Sequence, residues 1–206
     1  MKGLGFRAIA TSIGVAGSLL ALSLPAYAPV VGRPPAPGYP NCTIVGDDGP
    51  NVIRGTNKRD VICADSGNDV VYGKGGNDWL FGGPGMDRLY GGPGDDQLRG
   101  WQGNDKLYGE EGNDLLNGEP GNDLLVGGPG KDKLLGSSGN DCLYALDGEG
   151  TDILQGMIGH DRYQADEGDD VRGSTEQEAQ CWKNAPPPPA PPPPPPSPSP
   201  SPSPSA

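Results

Sequence analysis

Gly82-Gly83-Pro84-Gly85-Met86-Asp87-Arg88-Leu89-Tyr90 runs straight into Gly91 to Arg99, GGPGDDQLR, and the same design returns at Gly127 to Leu135, GGPGKDKLL. Each unit is a glycine-rich hexamer ending in aspartate, followed by three residues with an aliphatic middle. Working outward, the aspartate recurs every nine residues at Asp60, Asp69, Asp78, Asp87, Asp96, Asp105, Asp114, Asp123, Asp132 and Asp141. The phase then slips by two residues and resumes at Asp152, Asp161 and Asp170, while Asn51 stands one step before Asp60. A helix repeats at about 3.6 residues and a strand at about 2, so neither calls for this spacing. A fixed period of this kind marks a repeat architecture.

The hexamers are turns by chemistry. A glycine stands two residues before each aspartate from Gly67 through Gly76, Gly85, Gly94, Gly103, Gly112, Gly121, Gly130, Gly139, Gly150 and Gly159 to Gly168. So regular a glycine implies positive φ or no room for a Cβ. Pro84, Pro93, Pro120 and Pro129 precede it in four units, where proline presets φ for a turn. The three remaining residues extend. Ile62, Val71, Leu80, Leu89, Leu98, Leu107, Leu116, Leu125, Leu134, Leu143 and Leu154 each follow an aspartate by two. In a three-residue strand the middle side chain faces opposite to its neighbours, so this column is the predicted core.

One aliphatic residue per nine is a thin core, and the turns need a further source of stability. If two units make one coil, equivalent turns stack at about 4.8 Å and line the carboxylates up. Like charges at that distance repel by roughly 3 kcal/mol at an effective dielectric of about 20. A hard cation between turns reverses the sign. Ca²⁺ accepts six to eight oxygens from carboxylates and carbonyls in adaptable geometry, whereas Mg²⁺ demands a strict octahedron and keeps its water.

These units resemble the hemolysin-type, or RTX, nonapeptide G-G-x-G-x-D-x-U-x, a calcium-binding signature. The resemblance spans roughly Gly46 to Gly173. It implies an all-β fold, a right-handed parallel β-roll with two repeats per coil, and Ca²⁺ held between turns one coil apart. Carried residue by residue, it implies carboxylate ligands at Asp69, Asp78, Asp87, Asp96, Asp105, Asp114, Asp123, Asp132, Asp141, Asp152 and Asp161. The accompanying turn carbonyls are those of Gly73, Gly76, Gly82, Gly85, Gly91, Gly94, Gly100, Gly103, Gly109, Gly112, Gly118, Gly121, Gly127, Gly130, Gly136 and Gly139.

Several units depart from the pattern. Asn51 replaces aspartate and Lys58 replaces a turn glycine, which weakens the N-terminal sites. The second glycine gives way to Lys74, Trp101, Glu110, Glu119, Ser137 and Met157. Ala145 and Leu146 are inserted, and Arg172 stands where the last core aliphatic belongs. The best sites are therefore expected between Asp69 and Asp141.

The formal charge of −12 argues against nucleic acid as a partner. High charge with few apolar residues predicts a chain that stays unfolded until neutralised, so Ca²⁺ would be a folding ligand. Residues 1–28 read as a secretory signal peptide, with Lys2, Arg7, an apolar run and Ala26-Tyr27-Ala28. Residues 29–45 read as a lead-in, 46–173 as the roll, 174–184 as a C-terminal cap and 185–206 as a disordered proline- and serine-rich tail. The mature chain then has no membrane span, and its place is extracellular or at the cell envelope.

Four cysteines in an exported chain allow two disulfides in three connectivities. Cys42–Cys63 and Cys142–Cys181 are favoured because each pair brackets an irregular end of the repeat. His160 is the only histidine, and neither a Gly-x-Ser-x-Gly elbow nor a His-Glu-x-x-His motif occurs, so no enzyme is expected. Tyr72, Tyr90, Tyr108 and Tyr144 fall at multiples of eighteen residues along one sheet. They read by default as a structural ladder, and alternatively as an exposed row for a cell-surface glycan or protein. The resulting function is a secreted calcium-binding structural or adhesive module; the alternative is a non-catalytic remnant or partner of a secreted RTX-type hydrolase or toxin.

Overall fold

In a computed structural model, residues 41–148 and 150–172 are described. The segments read as signal peptide, cap and tail, most of the stretch read as lead-in, and Cys181 lie outside them. Fifteen strands follow one another: β1 (Ile44–Val45), β2 (Val52–Arg54), β3 (Val61–Cys63), β4 (Val70–Tyr72), β5 (Trp79–Phe81), β6 (Arg88–Tyr90), β7 (Gln97–Arg99), β8 (Lys106–Tyr108), β9 (Leu115–Pro120), β10 (Leu124–Val126), β11 (Lys133–Ser138), β12 (Cys142–Ala145), β13 (Ile153–Ile158), β14 (Arg162–Ala165) and β15 (Asp170–Arg172). The described residues contain no helix, and hence none long and apolar enough to cross a membrane. Ile44–Val45, in the stretch read as lead-in, is already a strand paired with β3.

The odd-numbered strands form one parallel sheet of eight and the even-numbered strands a second of seven. Each strand pairs with the one two ahead, eighteen residues on, as in Leu80↔Leu98 and Leu89↔Leu107. Two nonapeptides therefore make one coil, and the chain is a parallel β-roll of about seven coils. The predicted core column is the core: Ile62, Val71, Leu80, Leu89, Leu98, Leu107, Leu116, Leu125, Leu134, Leu143 and Leu154 have no exposed surface.

Two details differ from the sequence reading. Hexamers do not always interrupt the strands: β9, β11 and β13 are six residues long, and pairing continues through Ser137↔Glu119 and Met157↔Ser137. Pro120 consequently ends a strand rather than making a turn. Glu119, Ser137 and Met157 share φ near +70 to +80° and stack in register, so three kinked backbones continue one ladder.

The last row also shifts. The insertion makes the offset twenty residues at Leu134↔Leu154, and the next coil is short, giving Leu154↔Val171 at seventeen. Val171, not Arg172, takes the final aliphatic place, and the repeat aspartate is Asp169, not Asp170. Asp152 N–H donates to Asp169 Oδ1 at 3.0 Å, while Asp170 pairs in the ladder and meets the Arg172 guanidinium.

Tyr72, Tyr90 and Tyr108 stack with ring centroids 5.0 and 4.9 Å apart, as the ladder reading requires. Tyr90 and Tyr108 retain 4% of their surface, so the row is not exposed at those rungs. Cys42–Cys63 is a disulfide that ties the lead-in to β3. Cys142 is also disulfide-bonded.

Candidate metal centre

Each turn ends by turning its aspartate inward. Asp69, Asp78, Asp87, Asp96, Asp105, Asp114, Asp123, Asp132, Asp141, Asp152 and Asp161 are all at most 2% exposed. One oxygen of each is used locally. Asp87 Oδ1 accepts the Asp69 N–H at 2.8 Å, Asp105 Oδ1 accepts that of Asp87, and the series runs to Asp161 Oδ1 on Asp141 N–H at 3.0 Å. Asp78 through Asp152 repeat the pattern along the other column.

The other oxygen has nothing. Oδ2 of these eleven aspartates is buried without a hydrogen-bond partner. Desolvating a carboxylate oxygen without compensation is expensive, so such an atom calls for a ligand. What faces it is a backbone carbonyl. A Cβ placed on Gly82 would lie 2.3 Å from Asp87 Oδ2 and 2.8 Å from the Gly100 carbonyl oxygen, one coil ahead. The same convergence joins Asp78 to Gly91, Asp96 to Gly109, Asp105 to Gly118 and Asp114 to Gly127. Each pair is two acceptors with no proton between them, in space that exists because the opening residue is glycine. Such a donor set is all hard oxygen and suits Ca²⁺. Among the described residues no three His, Cys, Asp or Glu side chains converge on one point, so a cation here depends on backbone oxygens.

The third glycine of each turn has a different role. A Cβ on Gly85 would stand 1.5 Å from the Gly67 carbonyl oxygen, so close stacking of coils excludes any side chain there. The second position is left-handed in every regular turn. Gly83, Gly92 and Gly128 have φ of 111, 103 and 116°, and Lys74, Trp101, Glu110, Glu119, Ser137 and Met157 keep φ between 70 and 82°. The substitutions that depart from the repeat therefore preserve its backbone. Gly121 is the one regular third-position glycine without positive φ.

Burial raises the carboxyls, partly offset by the N–H bonds and reinforced in most of them by neighbouring carboxylates. Asp69, Asp78, Asp105, Asp141 and Asp152 are pushed up to about 6. Asp87, Asp96 and Asp132 reach about 7, and Asp114 and Asp123 about 8. The middle of the roll thus holds the carboxylates that most need a compensating charge.

The ends behave differently. Asp60 Oδ2 accepts from Thr56 N–H at 2.6 Å and Thr56 Oγ1 at 2.9 Å, so this oxygen, unlike those of the eleven, already has partners. At Gly118, Gly127 and Gly136 the three nearest atoms are all from the turn's own aspartate. Sequence reasoning missed Thr56 and Asp169. The signal for Asp169 was the spacing to Val171, which keeps the two-residue step from aspartate to core aliphatic.

Among known families, the one described as RTX calcium-binding nonapeptide repeat (4 copies) matches residues 45–80, 81–116, 108–143, 117–151 and 144–171. No curated protein matches the chain. RTX nonapeptide repeats bind calcium, and the family is a repeat module, not an enzyme family. With its stacked coils, buried aspartate columns and matches covering more than half of its length, the chain belongs to the RTX calcium-binding nonapeptide-repeat family.

Proposed function

We propose that this is a secreted, non-enzymatic calcium-binding module that folds when extracellular Ca²⁺ enters the turn columns and then serves as a structural element outside the cell. The observation that carries the reading is the pairing of an orphaned carboxylate oxygen with a carbonyl oxygen one coil ahead, at Asp78, Asp87, Asp96, Asp105 and Asp114. These five with Gly91, Gly100, Gly109, Gly118 and Gly127 form the principal sites. Asp69, Asp123, Asp132, Asp141 and Asp152 provide weaker ones. Affinity near about 10⁻⁴ to 10⁻³ M, typical of extracellular modules, suits the role. Export is supported by the signal-like residues 1–28 and by the Cys42–Cys63 bridge, which belongs to an oxidising compartment.

Adhesion through Tyr72, Tyr90, Tyr108 and Tyr144 is not favoured. The Arg54 guanidinium lies 5.1 Å from the Tyr72 ring centroid, and Tyr72, Tyr90 and Tyr108 cover one another, which leaves those faces no room for a sugar. The test is circular dichroism of the purified, oxidised chain during Ca²⁺ titration, with EGTA reversal and a Mg²⁺ control. The expected result is conversion to β structure with Ca²⁺ alone. A chain fully structured in chelator that takes up no calcium at millimolar concentration overturns the proposal.

A further inference from the structure

On the outer flank of the roll a cavity of about 230 Å³ brings Arg88 and Lys106, from β6 and β8, together with the turn residues Asn68, Met86 and Asn104. The buried Asp69 and Asp87 complete its lining. Arg88 and Lys106 are in-register neighbours on adjacent strands, and like charges placed opposite one another destabilise a sheet. With 27 acidic side chains against 15 basic ones, the chain has acids to spare for both. The ion pairs between described residues are nevertheless Arg99–Glu119 and Arg172–Asp170, and neither Arg88 nor Lys106 belongs to one. Two cations thus stand side by side with no counter-charge bonded to them.

The turn residues add donors. Outside the carboxylates this column carries a second ladder: Asn68 Oδ1 accepts the Met86 N–H, Asn104 Oδ1 that of Asn122 and Asn122 Oδ1 that of Asn140, each at 2.8 Å. Met86 breaks it. A thioether is at best a weak acceptor, and the Asn104 N–H, whose counterparts along the column are bonded, has no hydrogen-bond partner among the described residues. Asn68 and Asn104 have committed their oxygens to the ladder, which leaves their Nδ2 groups as further donors. Met86 itself is 57% exposed and sets an apolar surface between the two amides.

A guanidinium, an ammonium, a backbone N–H and two amide groups, with an apolar wall among them, are what an oxyanion on a small carbon body requires. We propose that this cavity binds an organic oxyanion, its charged group received by Arg88, Lys106 and the Asn104 N–H and its body resting on Met86. The only acceptors in the lining that would repel such a ligand are the Asp69 and Asp87 carboxylates, which the calcium reading neutralises. The proposal rests on that reading and extends it, because an anion then follows calcium into the roll and each ligand favours the other.

The experiment follows backbone amide shifts of the full oxidised, calcium-loaded chain titrated at constant ionic strength with benzoate, phenyl phosphate and the neutral control benzyl alcohol. Bound calcium is counted in the same samples. At least one of the two anions is expected to shift the Asn104 and Met86 amides saturably, and benzyl alcohol to leave them in place. Arg88→Gln and Lys106→Gln should each weaken the anion about tenfold, as for loss of one charge-assisted hydrogen bond, and keep the wild-type calcium count. Absence of a saturable Asn104 shift with both anions overturns the proposal, as does an equal response to benzyl alcohol or unchanged affinity in either variant. A wild-type chain that takes up no calcium would instead sink the proposed function, so the two failures are distinct.

Discussion

At the scale of single residues the roll depends on a division of labour within each carboxylate. Oδ1 is spent on a neighbour's N–H, which fixes the side chain, and Oδ2 is left without a hydrogen-bond partner, open to the ion we propose. Asp96→Asn should therefore remove at least one calcium equivalent in a calorimetric titration, because an amide cannot present two anionic oxygens. Asp95, one position earlier, is exposed and its carboxylate accepts from Asn113, so Asp95→Asn should leave the ion count unchanged. Glycines divide in a comparable way. Gly82→Ala puts a methyl where Asp87 Oδ2 and the Gly100 carbonyl oxygen converge, at 2.3 and 2.8 Å. It should cost the calcium-loaded roll more than about 1 kcal/mol and weaken calcium binding. Lys74→Gly goes the other way, since Lys74 holds φ of 82°: relief of left-handed strain should stabilise the roll by about 0.5 to 1 kcal/mol, read from denaturant midpoints.

At the scale of the element, three-residue strands are far too short to persist alone, so each coil borrows its order from the next. Among the described residues the first coil has a neighbour on one side only, and Asp60 Oδ2 is satisfied by Thr56. The Cys42–Cys63 bridge, with a sequence separation of 21, holds β1 against β3 where metal cannot. Cys42→Ser should destabilise this end by about 3 kcal/mol in the chain-entropy account. Hydrogen exchange should report that loss in β1 to β3 and leave β6 to β8 protected, as nearest-neighbour coupling in a repeat array requires.

Much of this element order was legible in the sequence because a nine-residue period writes the same instruction repeatedly. Turn chemistry at Gly85, the core at Leu89 and the carboxylate at Asp87 can each be read from one unit and checked against the others. What was not legible lies where the period fails. The shift from Asp170 to Asp169 depends on how a seven-residue turn after Ala145 and a shorter one after Ala165 are absorbed, which is a matter of three-dimensional closure. Likewise Tyr163 reads as one more core residue until its hydroxyl is placed against Gly156. The continuation of β9, β11 and β13 through their hexamers is also a property of stacked neighbours, Glu119 pairing with Ser137 and Ser137 with Met157.

At the scale of the whole molecule the same carboxylates make calcium and protons compete. In the metal-free roll ten of them lie at about 6 to 8, against 3.8 for an ordinary aspartate in the unfolded chain. The folded metal-free state thus binds more protons than the unfolded state between about pH 4 and pH 8, and its stability must fall as pH rises through that window. Below about pH 4 the aspartates are protonated in both states and the dependence from these groups disappears. In chelator, β structure measured by circular dichroism should therefore decline between pH 5 and pH 8, contrary to the usual behaviour of salt-bridged acidic groups. Calcium takes the ionised form, so loading at about pH 5, where the metal-free roll persists with its carboxyls protonated, must expel protons that loading at pH 9 does not. A pH-stat would measure that release directly. If calcium binds the folded metal-free roll at about pH 5 with no proton release, or if the metal-free chain gains structure as pH rises, the buried carboxylates are not the groups that the ion neutralises.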